Sequence, residues 1–205
     1  MSELSDYLLY GGPDRTKHYT AVGKFVTEYA NAESAVHAVA RSLSGLSDDK
    51  ARIIFGGMRI GDIMDRVRSM MRLDGTDNQT YCDVDSCLSQ LNAIADRRHR
   101  LVHRSSMFFD GKLLVSNVMT AKSRASAESE PFDIPEMEAM EWDCRVIYLR
   151  LMHVSNPEAF KAQFAEIIQE MHQAWRYKPA PQGTQNKRPQ KAPATLKPPP
   201  RSSPA

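Results

Sequence analysis

Apolar residues recur along most of the chain at intervals of three or four positions, which is the spacing of one face of an α-helix. Such runs stop at residues that favour helix ends, for example Gly45 after the first run and Gly75 after the third. Four helices are therefore predicted in the N-terminal half, at about residues 17–43, from Ser47 to Gly56, from Ile60 to Gly75, and from Asn78 to Arg104.

The pattern changes between Met107 and Val115. Phe108 and Phe109 are separated from Leu113 and Leu114 by Asp110-Gly111, and an Asp-Gly pair between apolar runs is typical of a two-residue β-hairpin turn. The polar stretch that follows, residues 121–130, predicts a loop.

Two further helices are expected after this loop. Pro135 suits the first turn of one of them, and Asn156-Pro157 is a strong start signal for the other. The apolar period of the last helix continues as far as Trp175. Residues 1–177 are thus expected to form an all-α antiparallel bundle with one small β-hairpin insertion.

Residues 178–205 differ from the rest in composition. They hold eight of the 12 prolines and six of the 27 basic residues, and they contain no acidic residue. Such a tail buries too little apolar surface to offset the entropy of ordering, so we expect it to be disordered. It is either a solvated linker or a weak electrostatic tether to RNA.

The rest of the chain carries 21 basic residues against 25 acidic ones, a net charge near −4. Any attraction to nucleic acid must therefore come from a local patch or from the tail. Three cysteines without paired spacing are expected to be small buried residues of a reducing compartment. With no secretory start and no apolar run long enough to span a bilayer, the protein is predicted to be cytoplasmic, without membrane attachment. Four histidines are scattered along the chain and repeat no metal-ligand spacing with the cysteines, so neither a metal site nor a cofactor is expected; they are His18, His37, His153 and His172.

Between Asp96 and Arg104 the chain has four arginines and two histidines within nine residues. On a helix, Arg98 falls on the apolar stripe that ends at Val102 and should turn inward. The other three arginines should point into water, where they could contact RNA; they are Arg97, Arg100 and Arg104. A separate polar stripe contains Asn92, Asp96, His99 and His103, within roughly 60° of one another.

An inward guanidinium needs a carboxylate partner or an anionic ligand. Glu33 is a candidate partner of Arg98, because it falls on the apolar side of the first predicted helix. We therefore predict an ion pair between these two residues.

The sequence Arg98-His99-x-x-x-His103 resembles the Arg-polar-x-x-x-His signature of the HEPN superfamily, and the predicted helical order over residues 17–177 is similar to that family's bundle. The resemblance implies a metal-independent endoribonuclease, such as a toxin or phage-defence effector. It also implies a homodimer that pairs two copies of the motif, and a nucleotidyltransferase-like antitoxin is a possible partner.

The residue types suit this chemistry. RNA is cleaved when its 2′-hydroxyl attacks the adjacent phosphorus, which requires a base, an acid and positive charge on the phosphorane. Imidazole titrates near neutral pH and can carry the proton, whereas a guanidinium stays charged and binds phosphate oxygens. His103 would be the principal acid or base, Arg98 the phosphate clamp, and His99 a second proton carrier or an orienting group.

Two other interpretations stay open. Basic residues near a helix C-terminus complement the helix dipole, so the cluster can be a solvated helix end with Arg98 in a structural ion pair. The domain can also be a non-catalytic module that dimerises or binds a partner. In a straight helix Arg98 and His103 lie about 140° apart, so a nuclease site would need a distorted helix end or a second subunit.

Overall fold

The protein is mainly helical, with a small antiparallel sheet of three strands. A computed structural model describes residues 12–109, 112–158 and 173–179. Within these ranges there are five α-helices, which are α1 (Gly12–Ser44), α2 (Asp48–Phe55), α3 (Ile60–Leu73), α4 (Asn78–His103) and α5 (Ile134–Ser155). The strands are β1 (Ser105–Phe109), β2 (Lys112–Ser116) and β3 (Ser129–Phe132), and a short 3-10 turn spans Arg124–Ser126.

The helix ends follow the local signals of the sequence. Gly45 and Gly75 have φ of 62° and 64°, and these left-handed conformations end α1 and α3 at little cost for glycine. The side chain of Asp77 caps α4 by accepting a hydrogen bond of 2.9 Å from the backbone N–H of Thr80. Pro135 lies in the first turn of α5, as predicted.

The core forms where α1 packs along α5, and α3 and α4 close it from the sides. Its largest fully buried side chains come from four helices and the sheet, and they include Phe25, Ile63, Leu88, Leu91, Ile94, Phe132, Met137, Met140, Ile147 and Leu151. Two of the three cysteines belong to this core. Burial raises the pKa of the Cys87 thiol to about 12, so this group stays protonated near neutral pH. Cys82 is exposed, which corrects the expectation that all three cysteines are buried.

The sheet confirms the predicted hairpin and adds one strand to it. Phe108 pairs with Leu113 and Phe109 with Lys112, which is the register of a two-residue connection, although the turn residues 110–111 lie outside the described part of the chain. Residues 129–130 of β3 were predicted to be the end of a loop, and no element was predicted for residues 131–132. β3 pairs with β2, and Phe132 is fully buried opposite Leu113. Burial of this one aromatic side chain, together with the pairing, orders a segment whose other residues are mostly polar.

Residues 173–179 form a segment, here called the C-terminal strap, that lies against α4 and α5. Trp175 was expected to continue the last helix, but it is not helical. The indole N–H of Trp175 donates to Ser86, and the backbone N–H groups of Arg176 and Tyr177 donate to the carboxylate of Asp143. Because these donors bond to a side chain of α5, they are not available for the i−4 bonds of a helix.

Most of the predicted last helix, residues 159–172, lies outside the described residues, as does the tail from residue 180 onward. In the part of the chain that is described, no helix is both long and apolar enough to cross a bilayer.

Candidate functional site

The basic cluster lies on the last two turns of α4, which is a regular helix through His103. The backbone N–H of Arg104 still donates to the carbonyl of Arg100 at 3.1 Å, so the helix end is not distorted. At about 100° per residue, the basic side chains divide among three directions around this helix. Arg98 points in one of them, His99 and His103 in another, and the remaining arginines in a third.

Arg97 points in the third direction and is held by two carboxylates. It donates to Glu130 and to Glu136 at 2.6 Å each, and its guanidinium lies 4.0 Å from the ring centroid of Phe132. Its side chain is only 15% exposed. The prediction that it points into water is therefore wrong, because β3 and the start of α5 cover it, whereas its contact with RNA stays a prediction.

Arg100 and Arg104 continue this row of ion pairs. Arg100 lies 3.2 Å and Arg104 lies 3.6 Å from the Glu130 carboxylate, and Arg104 also contacts Glu128 at 2.9 Å. Burial lowers the pKa of Arg100, but Glu130, Asp96 and Glu128 together raise it by more, so the net shift is upward. These two arginines were also predicted to be free for RNA. Their partners, Glu128 and Glu130, belong to the stretch predicted as a loop, and no local pattern in that stretch places it beside α4.

We call this row of three arginines with Glu128, Glu130 and Glu136 the arginine ladder. A cleft of about 700 Å³ opens beside it, lined by Asp96, Arg97, Arg100, Glu130, Glu136 and Tyr177 among others. Since the arginines of its wall are already paired, the cleft has little uncompensated positive charge to offer a phosphate group.

Arg98 is not part of the ladder. It is partly buried, and its guanidinium lies 5.3 Å from the ring centroid of Tyr29 on α1. Among the described residues no carboxylate lies within 4.0 Å of it, and its buried Nε has no hydrogen-bond partner there. The predicted ion pair with Glu33 is therefore not formed.

Glu33 and Arg98 instead both affect the pKa of the same residue, Tyr29 on α1. Burial and, second, the Glu33 carboxylate raise the pKa of Tyr29, whereas Arg98 lowers it. The contact between Tyr29 on α1 and Arg98 on α4 was not predicted, because it joins two helices that are distant in sequence. A guanidinium over an aromatic ring keeps its charge without a carboxylate, so Arg98 has donors left for an anion.

His99 and His103 lie side by side on the exposed surface of α4. Their ring centroids are 4.6 Å apart with an angle of 46° between the planes. Val102, which was predicted to turn inward, is 45% exposed, and Leu101 is buried in its place. The buried stripe changes direction here because the end of α4 packs toward β3, where Arg97 covers Phe132.

The directions of these side chains around α4 determine which of them can act on one substrate within a single chain. His99 and His103 can act together, since they are adjacent on one surface. Arg98 and His103 remain about 140° apart on a regular helix, so they do not converge on one phosphate within one chain. A second copy of the chain is the remaining way to bring such an arginine and histidine together.

Comparisons of the chain with protein-family models, with curated proteins and with solved structures found no match. Within the described ranges, no group of three or more histidine, cysteine or acidic side chains is arranged to hold a metal ion.

Proposed function

We propose that the protein is a metal-independent endoribonuclease of the HEPN type, with its helices arranged as that family's bundle. The observation that carries this proposal is the adjacent exposed pair His99 and His103, with Arg98 on the same two turns of α4, where its guanidinium has no carboxylate partner among the described residues. A toxin or phage-defence effector is the proposed setting for such an activity.

The proposed reaction uses the RNA's own 2′-hydroxyl as nucleophile. One imidazole removes the hydroxyl proton, the oxygen bonds to the adjacent phosphorus, and a protonated imidazole donates to the departing 5′-oxygen. The products are a 2′,3′-cyclic phosphate and a 5′-hydroxyl. Arg98 would stabilise the negative charge of the phosphorane, which is where forked donors contribute most.

The proposed active form is a homodimer in which the ends of α4 face each other. Arg98 of one copy would then complete the site around His99 and His103 of the other. The arginine ladder would have no direct role at the phosphate, because its guanidinium groups are held by Glu128, Glu130 and Glu136.

The experiment measures cleavage of single-stranded RNA in excess chelator by the wild type, Arg98→Ala and His103→Ala, with the product ends analysed. We expect cleavage by the wild type to leave 2′,3′-cyclic phosphates, and each variant to lose about 100-fold or more in rate. Arg66→Ala serves as a control, because Arg66 is an exposed arginine on α3. A folded wild type that cuts no RNA, or variants as active as the control, would contradict the proposal.

Mixing the two inactive variants tests the shared site directly. In a mixed dimer, one site combines both substitutions, whereas the other contains an intact Arg98 and an intact His103. Random pairing should therefore restore about one quarter of the wild-type rate. If the mixture stays as inactive as its components, the active site is not formed from Arg98 of one copy and His103 of the other.

The second candidate is a non-catalytic helical module that dimerises or binds a partner such as a nucleotidyltransferase-like protein. The arginine ladder favours it, since three of the four clustered arginines support the fold. This candidate predicts that the folded wild type cuts no RNA, and that Arg98→Ala and His103→Ala alter dimerisation or partner binding.

A further inference from the structure

Two histidines four residues apart on a helix form a pattern that can bind a metal ion. Positions i and i+4 lie on the same face, with Cβ atoms about 5–6 Å apart. Each imidazole can place a nitrogen about 2.0–2.1 Å from one ion. The rings of His99 and His103 are already neighbours, with centroids 4.6 Å apart, and both are exposed.

We propose that His99 and His103 bind a late first-row divalent ion such as Zn²⁺, and that the bound ion inhibits the nuclease. The two imidazoles supply two of the four tetrahedral positions, and water fills the others. Imidazole is a ligand that zinc, copper and nickel ions prefer. The inhibition, unlike the binding, rests on the proposed function, because an imidazole nitrogen bound to a metal can neither accept nor donate a proton.

The surrounding charges permit a cation at this position. Arg100 and Arg104 point away from the pair and are compensated by Glu128 and Glu130. Asp96 lies one turn before His99 on the same flank and is exposed, with only a 4.0 Å contact to Arg100. The carboxylate of Asp96 therefore offsets the repulsion from Arg98, the one unpaired arginine of the cluster among the described residues.

The site differs from the closed four-ligand sites that stabilise small domains. In the described part of the chain no third protein ligand joins the pair. Binding should therefore be reversible and should leave the fold intact, so the ion acts on the histidines without being required for stability.

The test is a calorimetric titration of the full-length chain with ZnCl₂, carried out on the wild type, His99→Gln, His103→Gln and two control variants. Glutamine keeps a polar side chain of similar length but does not replace the imidazole as a ligand. His37→Gln removes a histidine of α1, and Cys82→Ser removes an exposed thiol, which is a further side chain able to bind zinc.

We expect one zinc ion per chain for the wild type and for both controls. His99→Gln and His103→Gln should each lose at least about tenfold in affinity, because either change removes half of the protein's ligands. No saturable binding by the wild type would overturn the proposal, as would equal binding by the two glutamine variants or loss of binding in Cys82→Ser.

The regulatory part is measured on the same samples as the rate of RNA cleavage with and without zinc. We expect zinc to inhibit the wild type at the concentration that saturates the calorimetric site, and chelator to restore the rate. Saturation without inhibition would overturn the regulatory part. If the wild type cuts no RNA, the proposed function fails, while the titration still decides whether the metal site exists.

Discussion

The carboxylate of Asp143 on α5 accepts a hydrogen bond of 2.9 Å from the backbone N–H of Tyr177, 34 residues further along the chain. The same carboxylate accepts from the backbone N–H of Arg176 and from the side-chain amide of Gln90, each at 2.8 Å. Asp143 has no exposed surface. The buried Asp143 of α5 therefore binds two backbone N–H groups of the C-terminal strap, in addition to the bond from Trp175 to Ser86 of α4.

The first prediction concerns release of the strap by Asp143→Asn. An asparagine has one carbonyl oxygen in place of two carboxylate oxygens, and its NH₂ group would face backbone donors. We expect a loss of about 1–3 kcal/mol in the free energy of unfolding, measured in urea, and faster hydrogen exchange at the Tyr177 amide. Asp49→Asn, an exposed acid of α2, should change stability by less than about 0.5 kcal/mol. If both variants behave alike, Asp143 does not hold the strap.

The second prediction concerns how stability depends on pH. Burial raises the pKa of Asp143, and the N–H donors of Arg176, Tyr177 and Gln90 oppose that shift without cancelling it. The folded state therefore binds more protons at this group than the unfolded state does, so the contribution of Asp143 to stability falls as pH rises from its ordinary pKa through its raised one. Removing the group in Asp143→Asn should make the slope of unfolding free energy against pH more positive in this range. An unchanged slope in urea melts between pH 3 and pH 6 would contradict the raised pKa.

The third prediction tests the arginine ladder. Arg97→Met keeps the apolar stem over Phe132 but leaves Glu130 and Glu136 without their closest partner. Because all three groups are largely buried, we expect a loss of about 2–3 kcal/mol in unfolding free energy. Arg66→Met, at an exposed position, is the control and should stay within about 0.5 kcal/mol of the wild type. Similar melting curves for the two variants would show that the ladder adds no stability.

The fourth prediction separates Arg98 from its neighbour Arg97. Arg98 has no carboxylate within ion-pair distance among the described residues, and its buried Nε lacks a partner. Arg98→Met should therefore change the unfolding free energy by less than about 1 kcal/mol, while RNA cleavage falls by about 100-fold or more. A loss of stability as large as that of Arg97→Met would instead assign Arg98 a structural role.

The helices could be predicted because their signals are local. Glycine, proline and capping residues mark the ends, and the apolar spacing marks the buried faces of α1 to α5. β3 was missed because its order depends on pairing with β2 and on burial of Phe132, which are contacts between segments distant in sequence. Trp175 was assigned to a helix for the same reason, since its spacing fits and the bonds that hold the strap come from Asp143, Ser86 and Gln90.

The candidate site shows the same limit. Spacing alone separated the histidines from Arg98 by their positions around α4, and the structure keeps that separation. Spacing could not show that Glu130 would lie beside Arg97 or Glu128 beside Arg104, because both glutamates belong to a predicted loop more than 20 residues further along the chain. The spacing therefore predicted that three arginines point into solvent, whereas in the structure they form ion pairs within the chain.

The arginine ladder has a consequence for how RNA binding would respond to salt. Each phosphate neutralised by a protein cation releases counterions. For a single strand, the slope of log affinity against log salt concentration therefore becomes more negative by about 0.7 per contact. The described α4 cluster has four arginines, but three of them already have carboxylate counterions within the chain. Binding through this helix would therefore release few ions, and its affinity would change only slightly between low and physiological ionic strength.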